Sequence, residues 1–450
     1  MRFVRADISL LVLSLLNASF AQNRSSDWSA DGSLRYRLEK YEGYNARNYG
    51  VQGSDALGGL DDAVLLQRLI LGLSGHVGHR MMLAVHLQDS RAFGWSLRNS
   101  QEPEAFRMGD KSGKNFYIMN PQEEFFEFHD AYLQILNPFP HAVLTFGRQK
   151  IFCADYRIFG PGDWGNTGRW TWDALRIHWQ RNNLSADAWA GGTKTHDPQK
   201  ISFPFFQTEF FGGGFYGSYK IKATSVDLFA AVKKPGSAEY IKNQSFARYW
   251  SGLRLDHSAS QGAVYEVSYT KGFGDQAHKT INSYGLFAKA GWSIGSLAWR
   301  PVISARYSYA SGDDPRTKAL ESFDPVYGAG DKYYGWMNLV QWSNLDDREI
   351  MLELFPNADA RIEIKFNRFS APHYATPVNG TLVIPSGKSR LGDEMDIFAR
   401  YPIFKSLYCT LAFGWFIPHE ARLINGGIPT QALWGAWQME YRFSRRLNCF

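Results

Sequence analysis

Between Arg361 and Phe369 the chain reads Arg-Ile-Glu-Ile-Lys-Phe-Asn-Arg-Phe, with charge and apolar bulk in alternation. A β-strand sends successive side chains to opposite faces. Ile362, Ile364 and Phe366 therefore share one face, and Arg361, Glu363, Lys365 and Asn367 the other. Such a strand separates an apolar surface from a charged one. The same alternation returns around Leu83–Leu87, Ala131–Ile135, Leu175–Trp179, Val226–Val232, Tyr265–Tyr269 and Tyr284–Trp292. It is clearest in the later chain, at Ile303–Tyr309, Met395–Tyr401, Leu407–Trp415 and Trp437–Phe443.

The first residues read as an export leader. Arg2 and Arg5 are the positive end, Ile8–Leu16 the apolar stretch, and Ser19-Phe20-Ala21 the small-x-small cleavage pattern, which places the mature start at Gln22. The apolar stretch is too short to cross a bilayer as a helix. Loss of Arg2, Arg5 and Asp7 with the leader lowers the formal charge from +6 by one. The remaining excess is spread out, without the basic block that a nucleic-acid partner requires. Cys153, Cys409 and Cys449 lie far apart and form no Cys-x-x-Cys, so neither a disulfide framework nor a zinc site is expected.

Aromatic residues make up 16% of the chain, yet beyond the leader no apolar run approaches the ~18 residues of a membrane-spanning helix. Two classes survive: a secreted soluble β-protein, or a transmembrane barrel whose polar lumen dilutes its hydropathy. A sandwich of this length would break into domains and a propeller would repeat its blades. Neither sign is present. Short turns such as Asn182-Asn183 and Pro356–Asp359 alternate with long segments near 98–120, 193–208, 311–331 and 372–390. Aromatic residues gather at stripe ends, at Trp179, Trp292, Tyr309, Tyr401 and Trp415. Both features fit an outer-membrane barrel with long extracellular loops, short periplasmic turns and interfacial aromatic girdles. At roughly two dozen residues per strand and connection, 22–450 supplies on the order of 16–18 strands, enough for a solute-conducting lumen. The expectation is all-β: a leader over 1–21 and one antiparallel up-and-down barrel over 22–450, in the outer membrane of a Gram-negative bacterium. Phe450 falls out of phase with Trp437–Phe443, and Arg445 interrupts that stripe, so the last strand either ends at Phe443 or resets its register at a bulge.

The segment 146–176, FGRQKIFCADYRIFGPGDWGNTGRWTWDALR, carries Gly147-Arg148-Gln149, Arg157 with Gly160-Pro161, Trp164 through Arg169, and Asp173-Ala174 with Arg176. It resembles the alginate-export family of outer-membrane porins. Ser311–Pro315 with Phe323-Asp324-Pro325 is similar to that family's acidic loop, and Leu391–Asp396 to its late-strand motif. The departures fall at Phe152-Cys153-Ala154 and at Tyr156, where the family usually has an acidic residue. The resemblance implies a single-chain barrel of about 18 strands, a basic constriction partly covered by loops, and passage of an anionic uronate polymer.

Arginine suits a polyuronate because its planar fork pairs a carboxylate through two parallel hydrogen bonds, and rings of Arg or Lys select anions in a narrow pore. Arg148, Arg157, Arg169 and Arg176 are candidates because they lie in or beside the motif. Arg306, Arg361, Lys365 and Arg400 follow because they alternate with apolar positions. The competing reading of each is a salt bridge within the barrel wall, aided by interleaved Glu363, Glu394 and Asp396. For Asp313, Asp314 and Asp324 a loop role is expected ahead of calcium binding. No Gly-x-Ser-x-Gly or His-Glu-x-x-His frames the histidines, and no cofactor is implied, so catalysis is not expected. The leading expectation is an export channel for anionic polysaccharide, with outer-membrane lipid, lipopolysaccharide and periplasmic export proteins as partners. The alternatives are a diffusion channel for small organic anions, a barrel-embedded hydrolase and an adhesion barrel.

Overall fold

The structure is a computed structural model. It describes residues 28–43, 61–95, 107–108, 117–118, 121–162, 164–195, 201–238, 241–328, 330, 333–374, 382–423 and 428–447. The leader with its cleavage site, Cys449 and Phe450 lie outside the described residues.

The described residues hold no helix. In chain order the strands are β1 (Trp28–Glu42), β2 (Asp62–Val77), β3 (Met81–Phe93), β4 (Arg107–Met108), β5 (Tyr117–Ile118), β6 (Glu124–Leu136), β7 (Ala142–Lys150) and β8 (Thr171–Arg181). Then come β9 (Leu184–Lys194), β10 (Thr208–Ile221), β11 (Thr224–Pro235), β12 (Phe246–Ser258), β13 (Gly262–Gln276), β14 (Lys279–Ser293) and β15 (Val302–Ala310). The last are β16 (Leu345–Leu354), β17 (Arg361–Ser370), β18 (Leu382–Val383), β19 (Arg390–Phe404), β20 (Leu407–Pro418), β21 (Arg422–Leu423) and β22 (Ala432–Leu447). The pairs β4–β5 and β18–β21 are small separate ribbons, and the other strands form one 18-stranded sheet. Each wall strand pairs antiparallel with the next wall strand in sequence, and β1 returns to β22, from Trp28 opposite Leu447 to Glu42 opposite Leu433. The sheet is a closed up-and-down barrel with no open edge.

Turns at the end bearing Trp28 and Leu447 are short, as at 78–80, 182–183, 222–223 and 405–406. At the opposite, extracellular end the described parts of the connections are longer, as at 151–162 with 164–170, 201–207, 311–328 with 333–344, and 371–374 with 384–389. The terminal strand runs past Phe443 to Leu447 with an unbroken register against β1, so Arg445 and Arg446 are part of the wall and no bulge intervenes.

In β17, Glu363, Lys365 and Asn367 are buried toward the lumen, whereas Ile364 and Phe366 face outward. The apolar stripes of the other strands, including Leu71, Leu73, Leu175, Leu228, Ile350 and Leu411, also face outward and exposed. A monomer in water would gain by burying such a band; in a bilayer it is the lipid contact. At the extracellular end of β17 the chemistry swaps: Arg368 points out and Phe369 is buried beneath the loops. Strand β10 has no clean apolar stripe. Its Gly212 and Gly214 leave room for the Tyr327 hydroxyl and the Trp189 ring, which a Cβ at either position would strike. Ile364→Arg should cost on the order of 2–4 kcal/mol if the site lies near the bilayer midplane. Urea-unfolding midpoints in lipid vesicles, followed by heat-modifiable gel mobility, check this.

Candidate functional site

Segment 151–170, which leaves β7, folds into the lumen instead of outward. Its descent is held by hydrogen bonds to backbone carbonyls, which neutral loop atoms can supply anywhere along their length. Arg37 Nη1 donates to the Trp164 carbonyl at 2.6 Å, and Arg35 Nη2 to the Gly165 carbonyl at 3.2 Å and to Asn166 Oδ1 at 3.0 Å. Asn166 Nδ2 reaches the Gln67, Arg91 and Gln122 carbonyls at 3.2, 3.3 and 2.7 Å, and Ser90 Oγ donates to the Asn166 carbonyl. The Trp-Gly-Asn-Thr-Gly-Arg motif is thus a clamp between loop and wall.

Segment 311–344 meets it from the other side. Phe159 and Tyr327 form a parallel bridge, Gly160 N donates to the Tyr327 carbonyl, and Trp170 Nε1 donates to the Gly328 carbonyl. Trp164 packs edge-on to Trp336, with ring centroids 5.2 Å apart. Trp336 N and Met337 N donate to the Asp396 and Glu394 carboxylates, which fix this second loop to β19.

Between the loops and the upper wall lies a cavity of about 630 Å³. Its lining holds Arg37, Arg157, Arg169, Lys233 and Arg248 against the two carboxylates Glu39 and Asp324, with Trp164, Trp170, Tyr334, Trp336 and Trp342 as aromatic surface. The lining is therefore net positive. Lys233 and Arg248 both pair with Asp324, and Arg37 pairs with Glu39 at 2.5 Å. The Arg157 guanidinium stacks 3.7 Å from the Phe287 ring centroid and donates to the Tyr334 hydroxyl and to Asp155. Asp155 supplies beside Arg157 the carboxylate that Tyr156 does not. Arg169 differs. It is exposed and lies 4.5 Å from the Trp170 ring centroid, and no carboxylate among the described residues is within ion-pair distance.

The other candidates lie elsewhere. Arg148 is fully buried, with a bidentate pair to Asp173 at 2.8 and 2.9 Å, a bond to Glu127 at 2.9 Å and one to the Ser202 carbonyl at 2.6 Å. Neighbouring Gly147 has φ +124°, and a Cβ there would collide with the Ala131 carbonyl, so this bend of β7 requires glycine. Arg176 pairs with Asp187 at 2.6 Å. Arg306 bridges Glu349 and Glu353, and Arg361 bridges Glu353 and Glu363. Lys365 is buried opposite Asp396, 5.3 Å from the Trp336 ring centroid. Arg400 lies toward the periplasmic mouth, 3.8 Å from Glu440 and 4.5 Å from the Tyr408 ring centroid. The eight candidates therefore form no single ring: Arg157 and Arg169 share the cavity, and the rest are distributed through the wall.

Three cavity cations, Arg37, Lys233 and Arg248, were not among the expected residues. Arg37 had a readable signal, since Leu34-Arg35-Tyr36-Arg37-Leu38-Glu39 alternates as regularly as β17. Lys233 and Arg248 did not; their role depends on where segment 311–344 brings Asp324. Asp313 accepts from Glu321 N and Ser322 N, and Asp314 pairs with Arg316, so all three loop aspartates shape the loop.

A closed barrel with an apolar outer belt, a charged lumen and inward loops defines an outer-membrane channel rather than an enzyme. A family description, Alginate export, matches residues 32–426, and the chain belongs to that family. No curated protein matches it in sequence. Among solved structures, Acinetobacter baumannii OccAB3 superposes with a TM-score of 0.60 at 11% identity, over 92% of this chain and 99% of that one. Pseudomonas aeruginosa OpdK with vanillate gives 0.60 at 11% identity over 93% and 99%, and P. aeruginosa OccK5 (OpdH) gives 0.58 at 9% over 93% and 98%. At such identities these likenesses speak for the fold.

Arg148→Ala leaves Asp173 and Glu127 buried without their guanidinium, and should destabilise the barrel by about 3–5 kcal/mol. A lowered urea midpoint checks this. Burial pushes the Asp324 carboxyl up, but Lys233 and Arg248 outweigh it and hold it below its ordinary value. A carboxylate depressed on folding stabilises above its unfolded pKa of about 4, and that contribution disappears as pH falls through the folded value. Segment 311–344 should therefore loosen below about pH 4, seen as noisier single-channel current, and Asp324→Asn should bring the same noise to neutral pH.

Proposed function

We propose that the channel passes an anionic polysaccharide of the polyuronate type, and that Arg169 is its principal carboxylate contact at the constriction. The observation that carries this reading is the contrast inside the cavity. Arg37, Lys233 and Arg248 already hold carboxylates, whereas the Arg169 guanidinium is exposed against Trp170 with none among the described residues. A carboxylate reaching Arg169 gains a charge-assisted, two-pronged bond without displacing a wall partner. The aromatic lining offers flat apolar surface to the less polar faces of sugar rings. Below, Arg176, Arg306, Arg361 and Arg400 alternate with acids, so a sliding polyanion meets attraction and repulsion in turn and is not trapped. Membership of the family supports the same cargo class.

The cavity's volume favours a second reading. At about 630 Å³ it holds only a short piece of a polymer at once, which suits a diffusion channel for small organic anions. The two readings separate in planar bilayers. Export of polyuronate predicts anion-selective reversal potentials and current block by mannuronate oligomers that strengthens with oligomer length. A small-anion channel predicts anion selectivity with block by monovalent organic acids and no length dependence. Cation selectivity would defeat both. Arg169→Glu should shift the reversal potential toward cations and abolish oligomer block while leaving the urea midpoint within about 0.5 kcal/mol, as expected for an exposed side chain.

A further inference from the structure

The lipid-facing surface of β16, β17 and β19 carries a sharp chemical boundary near its extracellular end. One row of outward side chains across the strands is Ile350, Phe366, Met395 and Trp415, each opposite the next in the ladder. The next outward row up, about 7 Å away at two residues of strand rise, is Arg348, Arg368 and Asp393. Arg390 and His419 join it from the loop side. The apolar row belongs to the acyl region of the bilayer, so the charged row stands at the outer-leaflet headgroups.

Three features mark the charged row as a receptor for anions. Arg348 and Arg368 stand directly opposite one another on adjacent strands, and like charges in that position destabilise a sheet unless an anion lies between them. Their forks are available: the side chains of Arg348, Arg368 and Arg390 are 71%, 49% and 39% exposed. The local carboxylates are also oversubscribed. Asp393 alone accepts from Arg368 at 3.1 Å, Arg390 at 2.7 Å and His419 at 3.1 Å, while Asp346 serves Arg348 at 3.2 Å and takes the Tyr307 hydroxyl as well. These acids orient the guanidinium groups and leave a net positive charge.

We infer that this row is a binding site for the phosphate groups of a phosphorylated glycolipid in the outer leaflet, with the acyl chains lying along Ile350, Phe366 and Met395. A phosphate offers several oxygens to paired arginine forks, and its placement on a lipid brings acyl chains to the apolar row below. The cargo plays no part, because the site faces away from the lumen.

The test uses the full barrel purified in non-ionic detergent and titrated with bisphosphorylated lipid A, dephosphorylated lipid A or inorganic phosphate, with binding read by native mass spectrometry. The bisphosphorylated lipid should be retained, and the combined Arg348→Ala, Arg368→Ala and Arg390→Ala variant should bind it at least about tenfold more weakly. Lys234→Ala, another outward cation near the extracellular end of the wall, should bind as the parent does. Equal retention of dephosphorylated lipid A, or unchanged binding by the triple variant, overturns the site. Displacement of the lipid by inorganic phosphate at matching concentration overturns the lipid as its occupant. Should the triple variant lose its folded gel mobility, Arg368→Gln carries the same comparison.

Discussion

Everything in this molecule depends on the seam between β1 and β22. In a bilayer no water is available to satisfy a free strand edge, so a sheet can cross only if it closes. All 15 residues of β1 find partners in β22, the two ends of a wall more than four hundred residues long in sequence. That closure fixes which side of every strand is lumen. It also sets a circumference wide enough for two loops to fold inside.

The interior then has a charge problem and solves it locally. Wall cations and carboxylates alternate across neighbouring strands: Arg254 reaches Asp227, Asp256 and Glu266, and Arg306 reaches Glu349 and Glu353. Two places depart from this even matching: inside, the exposed Arg169 guanidinium has no carboxylate partner among the described residues, and at the outer rim Asp393 is shared by Arg368, Arg390 and His419. The inward loops extend the same logic, because arginines at the wall bind loop carbonyls and carboxylates at the wall bind loop amides. The loops add apolar packing of their own, since Phe159, Trp170, Phe323, Tyr327, Trp336 and Trp342 are buried in one cluster with Trp172 and Trp189 of the wall.

Much of the wall was legible in the sequence. Strands β17, β19 and β20 alternate so regularly that their lipid and lumen faces could be assigned residue by residue. Strand β10 was not legible, because its glycines are there to admit Trp189 and Tyr327 from elsewhere in the chain. The inward course of 311–344 was equally hidden, since its Trp336 and Trp342 read locally as loop aromatics and acquire meaning only against Trp164 and Phe323. The specific motif of 146–176 announced a site without revealing its division of labour.

By itself the sequence determined the class of fold, the two faces of the wall and the family, because period-two alternation and the motif are local properties of the chain. The tertiary structure alone decided which cations are occupied. Arg148 and Arg169 stand in one motif and look equivalent on the page. Folding buries the first between Asp173 and Glu127 and leaves the second open to the cavity. The reason is physical: an ion pair is a statement about distance, and only the register that sets β7 between β6 and β8 brings Glu127 and Asp173 onto Arg148, while no carboxylate among the described residues comes within reach of Arg169.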